Sequence, residues 1–424
     1  MLRMDVRQKL TLIGSHLSPT RPIRSEELLR GRTDELEKIV RELEYFHSTP
    51  FIYGHRGVGK TSLARTAAQI VTPSDREHIY VACAPGSRMM KIFKEIGEEL
   101  LRMLITLSTA TPSFKSMEVT LSMSPSIKAS FESKTAKLDD FDNPAAAVRV
   151  IRELSALLPR AEATVVVLDE LEELNENDRS DLAYFVKQVG DQEIPVKFVL
   201  VGIAENVHEL IGAHESVPRY VKEVDLQPLT MQTLMDIVNG AADQIGVTVP
   251  RWVLYRIGII GNGFPHFAHL MGKAILVEAA ISDASEVTAA IYTKGVADAV
   301  AGSVQELRTS YDAATQRSED YFKHLIWALA DADVVDLRID EWIRAYRELA
   351  TRIHEVSVDE DRLRSAINNF ASDSYGKIIV NTPARYGSAE MRYRYKRFCN
   401  MLMRGHVRLN AEHEGIKLGR EPGM

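Results

Sequence analysis

The residues with the most specific spacing in the chain lie between positions 54 and 61. They match the phosphate-binding pattern GxxxxGK[ST] with Gly54, His55, Arg56, Gly57, Val58, Gly59, Lys60 and Thr61. The glycines let backbone N–H groups surround phosphate oxygens without a Cβ in the way. In such a loop the lysine reaches the β- and γ-phosphates and the threonine hydroxyl binds Mg²⁺. We therefore predict that this loop, with Ser62 after it, binds a nucleoside triphosphate.

A pair of acids supplies the second half of the predicted chemistry. Asp169 and Glu170 follow the apolar run VVVL at 165–168. A carboxylate at the end of a buried strand lies at the carboxyl edge of a parallel sheet, where Asp169 can hold Mg²⁺ through water. Glu170 is then placed to polarise an attacking water. The alternative is that Glu170 is a solvated acid beside Glu172 and Glu173.

Five short apolar runs alternate with helical patterns and must position these residues. The runs predict strands at 49–53, 78–83, 164–168, 197–204 and 222–226, and the helical patterns include 33–43, 60–71, 89–104 and 144–158. Uniformly apolar strands between helices indicate a parallel sheet covered on both faces. The predicted fold class is therefore α/β.

One segment interrupts this alternation. Residues 117–134 alternate apolar and polar side chains on either side of Ser-Pro-Ser. This pattern predicts a β-hairpin inserted between two helices. The hairpin is either an ordinary surface excursion or a protrusion that contacts a partner or nucleic acid.

The remaining segments complete a four-part organisation. Residues 1–30 contain two prolines and predict an extended N-terminal linker. Residues 31–228 form the nucleotide-binding domain. Residues 229–302 are helical in pattern and predict a lid. Residues 303–424 show three helices followed by two candidate strands, which is typical of a winged-helix domain.

With these motifs, the chain resembles the AAA+ ATPases over roughly residues 20–300. Within them it is similar to the group of origin-recognition initiators and of signalling and transposition-associated ATPases. The segment GRTDEL at 31–36 is similar to that group's GR-x-x-E-L lead-in. The resemblance implies ATP as the nucleotide, and it implies that the preceding linker, with Pro22 and Ile23, flanks the adenine.

Further roles follow from the same resemblance. The strand KFVLVGIAEN is similar to the family's sensor-1 strand, and Glu205 and Asn206 compete for the polar place near the γ-phosphate. We assign that place to Asn206. Arg219 stands where the family has the finger that enters a neighbouring subunit's nucleotide site. A permanently charged, forked guanidinium suits this role, and the alternative is a surface arginine paired with an acid.

The segment GNGFPH at 261–266 is similar to the family's sensor-2 segment, but His266 stands where many relatives have arginine. Histidine is charged only part of the time at neutral pH. Either His266 contacts phosphate weakly or sensor 2 is absent. His266 and His269 have the spacing of metal ligands on a helix, but further convincing ligands are missing from the sequence around them.

The C-terminal segment is basic. Residues 385–424 contain nine Lys or Arg and four Glu, and MRYRYKRF at 391–398 interleaves Arg392, Arg394, Lys396 and Arg397 with aromatic residues. This composition is typical of a nucleic-acid footprint. As a strand, it would direct the first three cations outward and Tyr393 and Tyr395 towards the core. The alternative is a solvated or protein-docking face.

Length and composition limit the remaining classes. A chain of 424 residues suggests about three domains. With 45% hydrophobic and 26% charged residues, the chain is neither wholly disordered nor fibrous. Two distant cysteines, Cys83 and Cys399, exclude a disulfide framework. We expect a cytoplasmic protein without signal peptide or membrane span.

The sequence thus predicts an ATP-hydrolysing oligomer. The leading hypothesis is a homo-oligomeric switch or remodeller that acts on DNA through its C-terminal domain. The second is a signalling or defence ATPase that binds a protein partner. The third is a nucleotide-binding scaffold with little turnover.

Overall fold

The computed structural model describes two compact units. The sheet unit contains Pro22–His55 and Gly59–Gln227, and the helical unit contains Met1–Arg21, Arg56–Val58 and Pro228–Met424. Within these units the described residues are 5–19, 21–23, 25–46, 48–110, 127–128, 138, 141, 143–203, 219–317, 319–356, 358–382 and 395–419.

Among its described residues, the sheet unit has five strands and five α-helices. The strands are β1 (Thr49–Tyr53), β2 (Ile79–Ala82), β3 (Val165–Asp169), β4 (Lys197–Gly202) and β5 (Val221–Asp225). The helices are α2 (Thr33–Arg41), α3 (Lys60–Val71), α4 (Met89–Ala110), α5 (Pro144–Leu157) and α6 (Glu176–Asp191). The order confirms the predicted alternation of strands and helices.

All five strands are parallel, and their order is β2-β3-β4-β1-β5. Every residue of β1 and β3 is buried. Burial on both faces explains why these strands read as continuous apolar runs. The carboxyl ends of β1 and β3, separated only by β4, bring the loop after Tyr53 close to Asp169. The predicted α/β fold class is confirmed.

Side-chain caps fix where two helices of this unit begin. Asn143 precedes α5, and its side chain accepts a hydrogen bond from the backbone N–H of Ala146. Asn175 caps α6 in the same way, through the N–H of Asp178. Each cap satisfies one of the donors that the first helical turn leaves unpaired.

The helical unit begins with α1 (Val6–His16), where the sequence pattern predicted an extended linker. That prediction was wrong for these residues. Asp5 and Gln8 form a capping box, and Ile13 and Leu17 are fully buried. The two prolines that suggested an extended chain, Pro19 and Pro22, lie after the helix ends.

The rest of this unit is mainly helical. Its further helices are α7 (Met231–Gln244), α8 (Arg251–Gly261), α9 (Pro265–Ile281), α10 (Ala289–Ala301), α11 (Gln305–Thr315), α12 (Tyr321–Asp331), α13 (Ile339–Arg352), α14 (Glu360–Asn369) and α15 (Leu402–His413). Three short strands accompany them: β6 (Leu337–Arg338), β7 (Ile379–Thr382) and β8 (Tyr395–Phe398). They form an antiparallel sheet in which β8 lies between β6 and β7.

A buried ion pair joins α8 to α15 within this unit. The Arg256 guanidinium donates from Nε to Glu412 Oε2 at 3.0 Å, and the side chains are 1% and 4% exposed. The Tyr292 hydroxyl of α10 donates to the other oxygen of Glu412 at 2.8 Å. Because both charges are buried, each depends on the other for compensation.

Helices long and apolar enough to cross a membrane are not found in the described part of the chain.

Candidate nucleotide site

The loop from Gly54 to Thr61 has the backbone that its glycines permit. Gly54, Gly57 and Gly59 have φ angles of 139°, 85° and 101°. Residues with a Cβ rarely adopt such angles. At Gly54 a Cβ would also lie 2.6 Å from the carbonyl oxygen of Leu226, just after β5. The glycines therefore allow a sharp turn between β1 and α3.

Lys60 is the first residue of α3 and is 8% exposed. Its ammonium donates to the carbonyl oxygens of Gly54 and His55 at 3.0 and 2.9 Å. The cation therefore lies inside the loop, where the phosphate chain of a nucleotide would meet it. The predicted strand–loop–helix context of the motif is present.

The structure brings the two predicted Mg²⁺ ligands together. The Thr61 hydroxyl donates to Asp169 Oδ2 at 2.7 Å, and the backbone N–H of Glu170 donates to Asp169 Oδ1 at 2.8 Å. Asp169 is 3% exposed at the carboxyl end of β3. A hydroxyl and a carboxylate in contact are hard oxygen ligands of the kind that Mg²⁺ prefers. The donor set fits a magnesium ion held by Thr61 directly and by Asp169 through water.

Tyr80 is a site residue that the sequence did not reveal. Its hydroxyl donates to Asp169 Oδ2 at 3.0 Å, and the Arg65 guanidinium lies 4.3 Å from the centre of its ring. Burial, and then the neighbouring Asp169, raise the pKa of Tyr80, so the hydroxyl stays protonated and donates. Tyr80 lies in β2, beside β3. The sequence did show a tyrosine in a predicted strand. That this strand pairs with the strand that ends in Asp169 is known from the structure.

Glu170 lies directly after Asp169 and is exposed. Its φ of 59° is in the left-handed region, which is uncommon for a residue with a Cβ. This backbone carries the chain away from the sheet at the site edge. The neighbouring Glu172 has a different task, because its carboxylate accepts the backbone N–H of Ile203, just after β4, at 2.9 Å. The acids after β3 are therefore not equivalent.

The linker before α2 lies against the start of α3. The backbone N–H of Ile23 donates to the Ser62 hydroxyl at 3.1 Å, and the Thr66 hydroxyl donates to the Ile23 carbonyl at 3.3 Å. Pro22 directly precedes this contact. The arrangement agrees with a linker beside the nucleotide loop. The adenine-flanking role of Pro22 and Ile23 stays a prediction.

Arg32 anchors the predicted lead-in segment. Its guanidinium donates to the Glu35 carboxylate at 3.0 Å and to the Gln227 carbonyl at 2.6 Å. Arg32 is 5% exposed, and burial lowers its pKa despite the Glu35 carboxylate. The arginine and the glutamate of the GR-x-x-E-L pattern thus form one buried ion pair.

Arg219 is exposed in the turn before β5. Within the described residues it has no hydrogen-bond acceptor or ion-pair partner. Its surface position agrees with a residue that acts on another molecule, and its role stays a prediction. Asn206, the predicted sensor-1 residue, lies outside the described residues.

The predicted hairpin also lies almost wholly outside the described residues. Only Ile127 and Lys128 of this segment are described, and they have helical rather than extended backbone. Ile127 is fully buried in the core of the sheet unit. Burial of this side chain explains why residues 127–128 do not continue a surface strand.

His266 begins α9 in the helical unit. Its Nδ1 lies 3.3 Å from the Pro19 carbonyl oxygen, and burial lowers its pKa. His269 is 5% exposed, and burial lowers its pKa to about 4. Both lowered pKa values favour the neutral imidazole at pH 7. A partly buried His266 of this kind favours the hypothesis that sensor 2 is absent, and its nucleotide contact stays a prediction.

In the described part of the C-terminal basic segment, Lys396 does not face outward as predicted. In β8 it is Lys396 and Phe398 that are buried, whereas Tyr395 and Arg397 are partly exposed. Lys396 donates to Asn381 Oδ1 at 2.6 Å. The Lys396 stem packs inside while its ammonium meets a neutral amide. The predicted alternation was therefore inverted, and Arg392, Tyr393 and Arg394 lie outside the described residues.

Comparisons with known proteins agree with this geometry. Residues 28–200 match the family model described as the AAA ATPase domain. No curated protein sequence matches the chain.

Several solved structures are similar to the chain at low sequence identity. A Walker-type ATPase of Pyrococcus abyssi is 17% identical, with a TM-score of 0.50, and the match covers 92% of this chain and 99% of that chain. The ORC2 protein of Aeropyrum pernix, in ADPNP–ADP complexes, is 15% identical, with a TM-score of 0.48 and coverage of 95% and 96%. The ORC1 protein of the same organism, in complex with DNA, is 17% identical, with a TM-score of 0.44 and coverage of 91% and 93%.

Proposed function

We propose that this AAA+ P-loop ATPase, whose residues 28–200 are an AAA ATPase domain, is an ATP-dependent oligomeric switch or remodeller that acts on DNA. The ATPase activity and the use of ATP with Mg²⁺ follow from the domain. The oligomer, the DNA and the roles of individual residues are the proposal.

In the proposed reaction each site residue has one task. Lys60 exchanges its bonds to the Gly54 and His55 carbonyls for bonds to the β- and γ-phosphates. Thr61 and Asp169 hold Mg²⁺, which when bound neutralises part of the phosphate charge. Glu170 orients a water towards the γ-phosphate and accepts its proton on the carboxylate.

The exposed position of Arg219 supports action between subunits. The residue lies two positions before β5, which pairs with β1, the strand that leads into the phosphate-binding loop. A guanidinium at this surface can reach the phosphates bound by a second copy and stabilise the charge that develops there. Hydrolysis would then depend on assembly.

One observation carries the DNA part of the proposal. The order α12, β6, α13, α14, β7, β8, with β8 between β6 and β7, supports a winged-helix domain, because it agrees with the element order of such domains. In such a domain α14 is the recognition helix and the segment between β7 and β8 is the wing. In the sequence, the segment that joins β7 to β8 comprises residues 383–394 and includes Arg385, Arg392 and Arg394. Cations in a wing suit contact with DNA phosphates.

A second function is favoured by the charges of α14. Both of its arginines have carboxylate partners: Arg362 pairs with Glu319 at 2.6 Å, and Arg364 pairs with Glu360 at 2.8 Å. Phosphates would have to displace these carboxylates. A helix with balanced charges suits a protein partner, so the alternative is a signalling ATPase whose C-terminal domain docks a protein.

Salt-dependent DNA binding separates the two functions. We expect duplex DNA to bind the full chain with a non-hydrolysable ATP analogue, in fluorescence anisotropy over a salt series. The logarithm of affinity should fall linearly with the logarithm of salt concentration. Electron microscopy of the same samples should show rings or helical assemblies that require the analogue. Absence of DNA binding at low salt, with assembly intact, would support the protein-docking function instead.

A further inference from the structure

The helical unit contains a cavity of about 290 Å³ that the nucleotide chemistry does not use. Asn262 and Gly263, at the end of α8, form part of its wall. Arg404 and Arg408, both from α15, and Asp333, after α12, line it as well. Its volume is close to the lower end of the range of small-molecule sites.

Two guanidinium groups of this wall are buried, and within the described residues neither has a carboxylate at ion-pair distance. Arg404 and Arg408 are 5% and 6% exposed. Arg408 donates to the carbonyl oxygens of Ala330 at 2.8 Å and Ile259 at 2.6 Å. Arg404 donates from Nη2 to the carbonyl oxygen of Val334. These acceptors are all neutral, which is unusual for buried arginines.

Both side chains have donors left over. A guanidinium carries five N–H groups. Nε and Nη1 of Arg404, and Nη2 of Arg408, have no acceptor within the described residues. The side chains that carry them line the cavity. A ligand with paired oxygens could accept these bonds, as carboxylates and phosphates do from arginine.

The charges around the cavity favour an anion of low charge. Two arginines and one acid, Asp333, line it, which leaves a net positive wall. Asp331 is engaged by Arg352 at 3.0 Å, and Asp336 raises the pKa of Arg404 from nearby. Burial nevertheless lowers the pKa of Arg404 to about 10 and that of Arg408 to about 9. Burial thus outweighs the nearby carboxylates of Asp331, Asp333 and Asp336, and a bound anion would add to the stabilisation of both cations.

We propose that this cavity binds a small molecule through a carboxylate or phosphate group held by Arg404 and Arg408. Asp333 would accept a hydrogen bond from a hydroxyl or a protonated oxygen of the same molecule. Because Arg408 already bonds the ends of α8 and α12, the ligand would brace the predicted lid helices against the C-terminal helices.

The test measures anion binding with the phosphate-binding loop disabled. The full chain with Lys60→Ala removes the competing phosphate site. Calorimetric titrations with sodium phosphate and with sodium acetate, at constant ionic strength, then report on the cavity. We expect saturable binding with one site per chain for at least one of the two anions, and the stronger binder identifies the group.

Substitutions place the binding in the cavity. Arg404→Gln should weaken it about tenfold or more, since it removes a charge-assisted hydrogen bond. Arg347→Gln, a matched change at a surface arginine paired with Glu360, should leave it unchanged.

Asn262→Asp provides a variant that should fold even if Arg404→Gln does not. Asn262 has a φ of 48°, which aspartate tolerates, and its side chain lies 3.4 Å from Arg408. The added carboxylate should weaken anion binding. No saturable binding of either anion, or binding unchanged in a folded Arg404→Gln or Asn262→Asp variant, would overturn the proposal.

Discussion

The two oxygens of the Asp169 carboxylate have different partners. Oδ2 accepts from the hydroxyls of Thr61 and Tyr80, and Oδ1 accepts from the backbone N–H of Glu170. Such a carboxylate has its orientation fixed before nucleotide arrives. At the residue scale, the predicted Mg²⁺ ligands are therefore held in place by the protein's own hydrogen bonds.

Lys60→Ala should abolish ATP turnover and weaken nucleotide binding. The substitution removes a charge-assisted hydrogen bond to the phosphates, worth about 1.5–3 kcal/mol, or roughly tenfold to a hundredfold in affinity. Fluorescence titration with a labelled ATP analogue and a phosphate-release assay measure both effects. Turnover at the wild-type rate would show that the loop is not the catalytic site.

Glu170→Gln should trap the ATP-bound state. It keeps the shape of the side chain and removes the carboxylate that accepts the proton, so hydrolysis should fall about 10²-fold or more while binding is retained. Glu173→Gln, at an exposed acid three residues later, is the control and should hydrolyse normally. Equal losses of binding and hydrolysis in Glu170→Gln would mean that Glu170 has a structural role.

Tyr80→Phe should weaken metal binding more than nucleotide binding. Loss of one hydrogen bond to Asp169, worth about 1 kcal/mol, should raise the half-saturating concentration of Mg²⁺ about fivefold. Electron paramagnetic resonance of Mn²⁺ with ADP reports the same shift without turnover. Tyr45→Phe, at an exposed tyrosine, is the control. Unchanged Mn²⁺ affinity would limit Tyr80 to a packing role.

The sequence predicted Lys60, Thr61 and Asp169 because their spacing along the chain specifies their chemistry. Tyr80 escaped prediction because its role depends on the pairing of β2 with β3, which strand patterns alone do not reveal. The different roles of the acids after β3 were not predicted for a similar reason. Glu172 accepts a hydrogen bond from Ile203 only because β4, which ends just before Ile203, lies beside β3.

At the scale of elements, β8 shows that the alternation of side chains along a strand can be predicted correctly while the buried and exposed faces are exchanged. Lys396 pairs with Asn381 in β7 and with Leu337 in β6, so it lies in the central strand of the small sheet. The central position buries one face of β8, and Phe398 fixes which face it is. The prediction used charge alone, and it therefore placed Lys396 on the exposed face and Tyr395 on the buried face.

Because Lys396 is buried, the predicted DNA contacts fall into two groups: Lys396, which we expect to stabilise the fold, and Arg392 with Arg394, which we expect to contact DNA. Lys396→Ala should lower the free energy of unfolding by about 1–2 kcal/mol, through loss of its buried stem, with little change in the salt dependence of DNA binding. Arg392→Ala with Arg394→Ala should leave stability unchanged and reduce the salt slope by about two. Lys417→Ala, at an exposed lysine, is the control for stability.

Denaturant unfolding and anisotropy measure the two effects. An unchanged slope in the double arginine variant would assign the wing to a protein partner or to solvent. An unchanged free energy of unfolding in Lys396→Ala would show that the buried lysine stem stabilises the fold no more than alanine does.

At the scale of the whole molecule, the proposed function requires that hydrolysis depends on assembly. Arg219→Ala should bind ATP and hydrolyse it poorly, even at concentrations that favour assembly. Mixing it with Lys60→Ala should restore part of the activity, because some interfaces then pair an intact loop with an intact arginine. Arg152→Ala, at another exposed arginine, should behave as wild type. Specific activity that is independent of concentration in a monomer would contradict the proposal.

The larger organisation was only partly readable from the sequence. Strand and helix patterns predicted the α/β fold because each parallel strand is apolar throughout. The helix Val6–His16 was not predicted, because the two nearby prolines were taken as evidence for an extended chain. Its capping box and its buried side chains were given less weight. The bond between Arg256 and Glu412 joins residues 156 positions apart, and nothing in the local sequence points to it.

That ion pair has a practical consequence for anyone who would shorten the protein. A recombinant fragment that stops after α10 would keep the nucleotide loop and the predicted lid but lose Glu412. Arg256 would then lose its carboxylate partner and meet water. The fragment would also uncover Phe267 and Ile260, on which Gly405 of α15 packs, and it should therefore be poorly soluble. The segments that look separable along the chain are thus bound to one another for their folding.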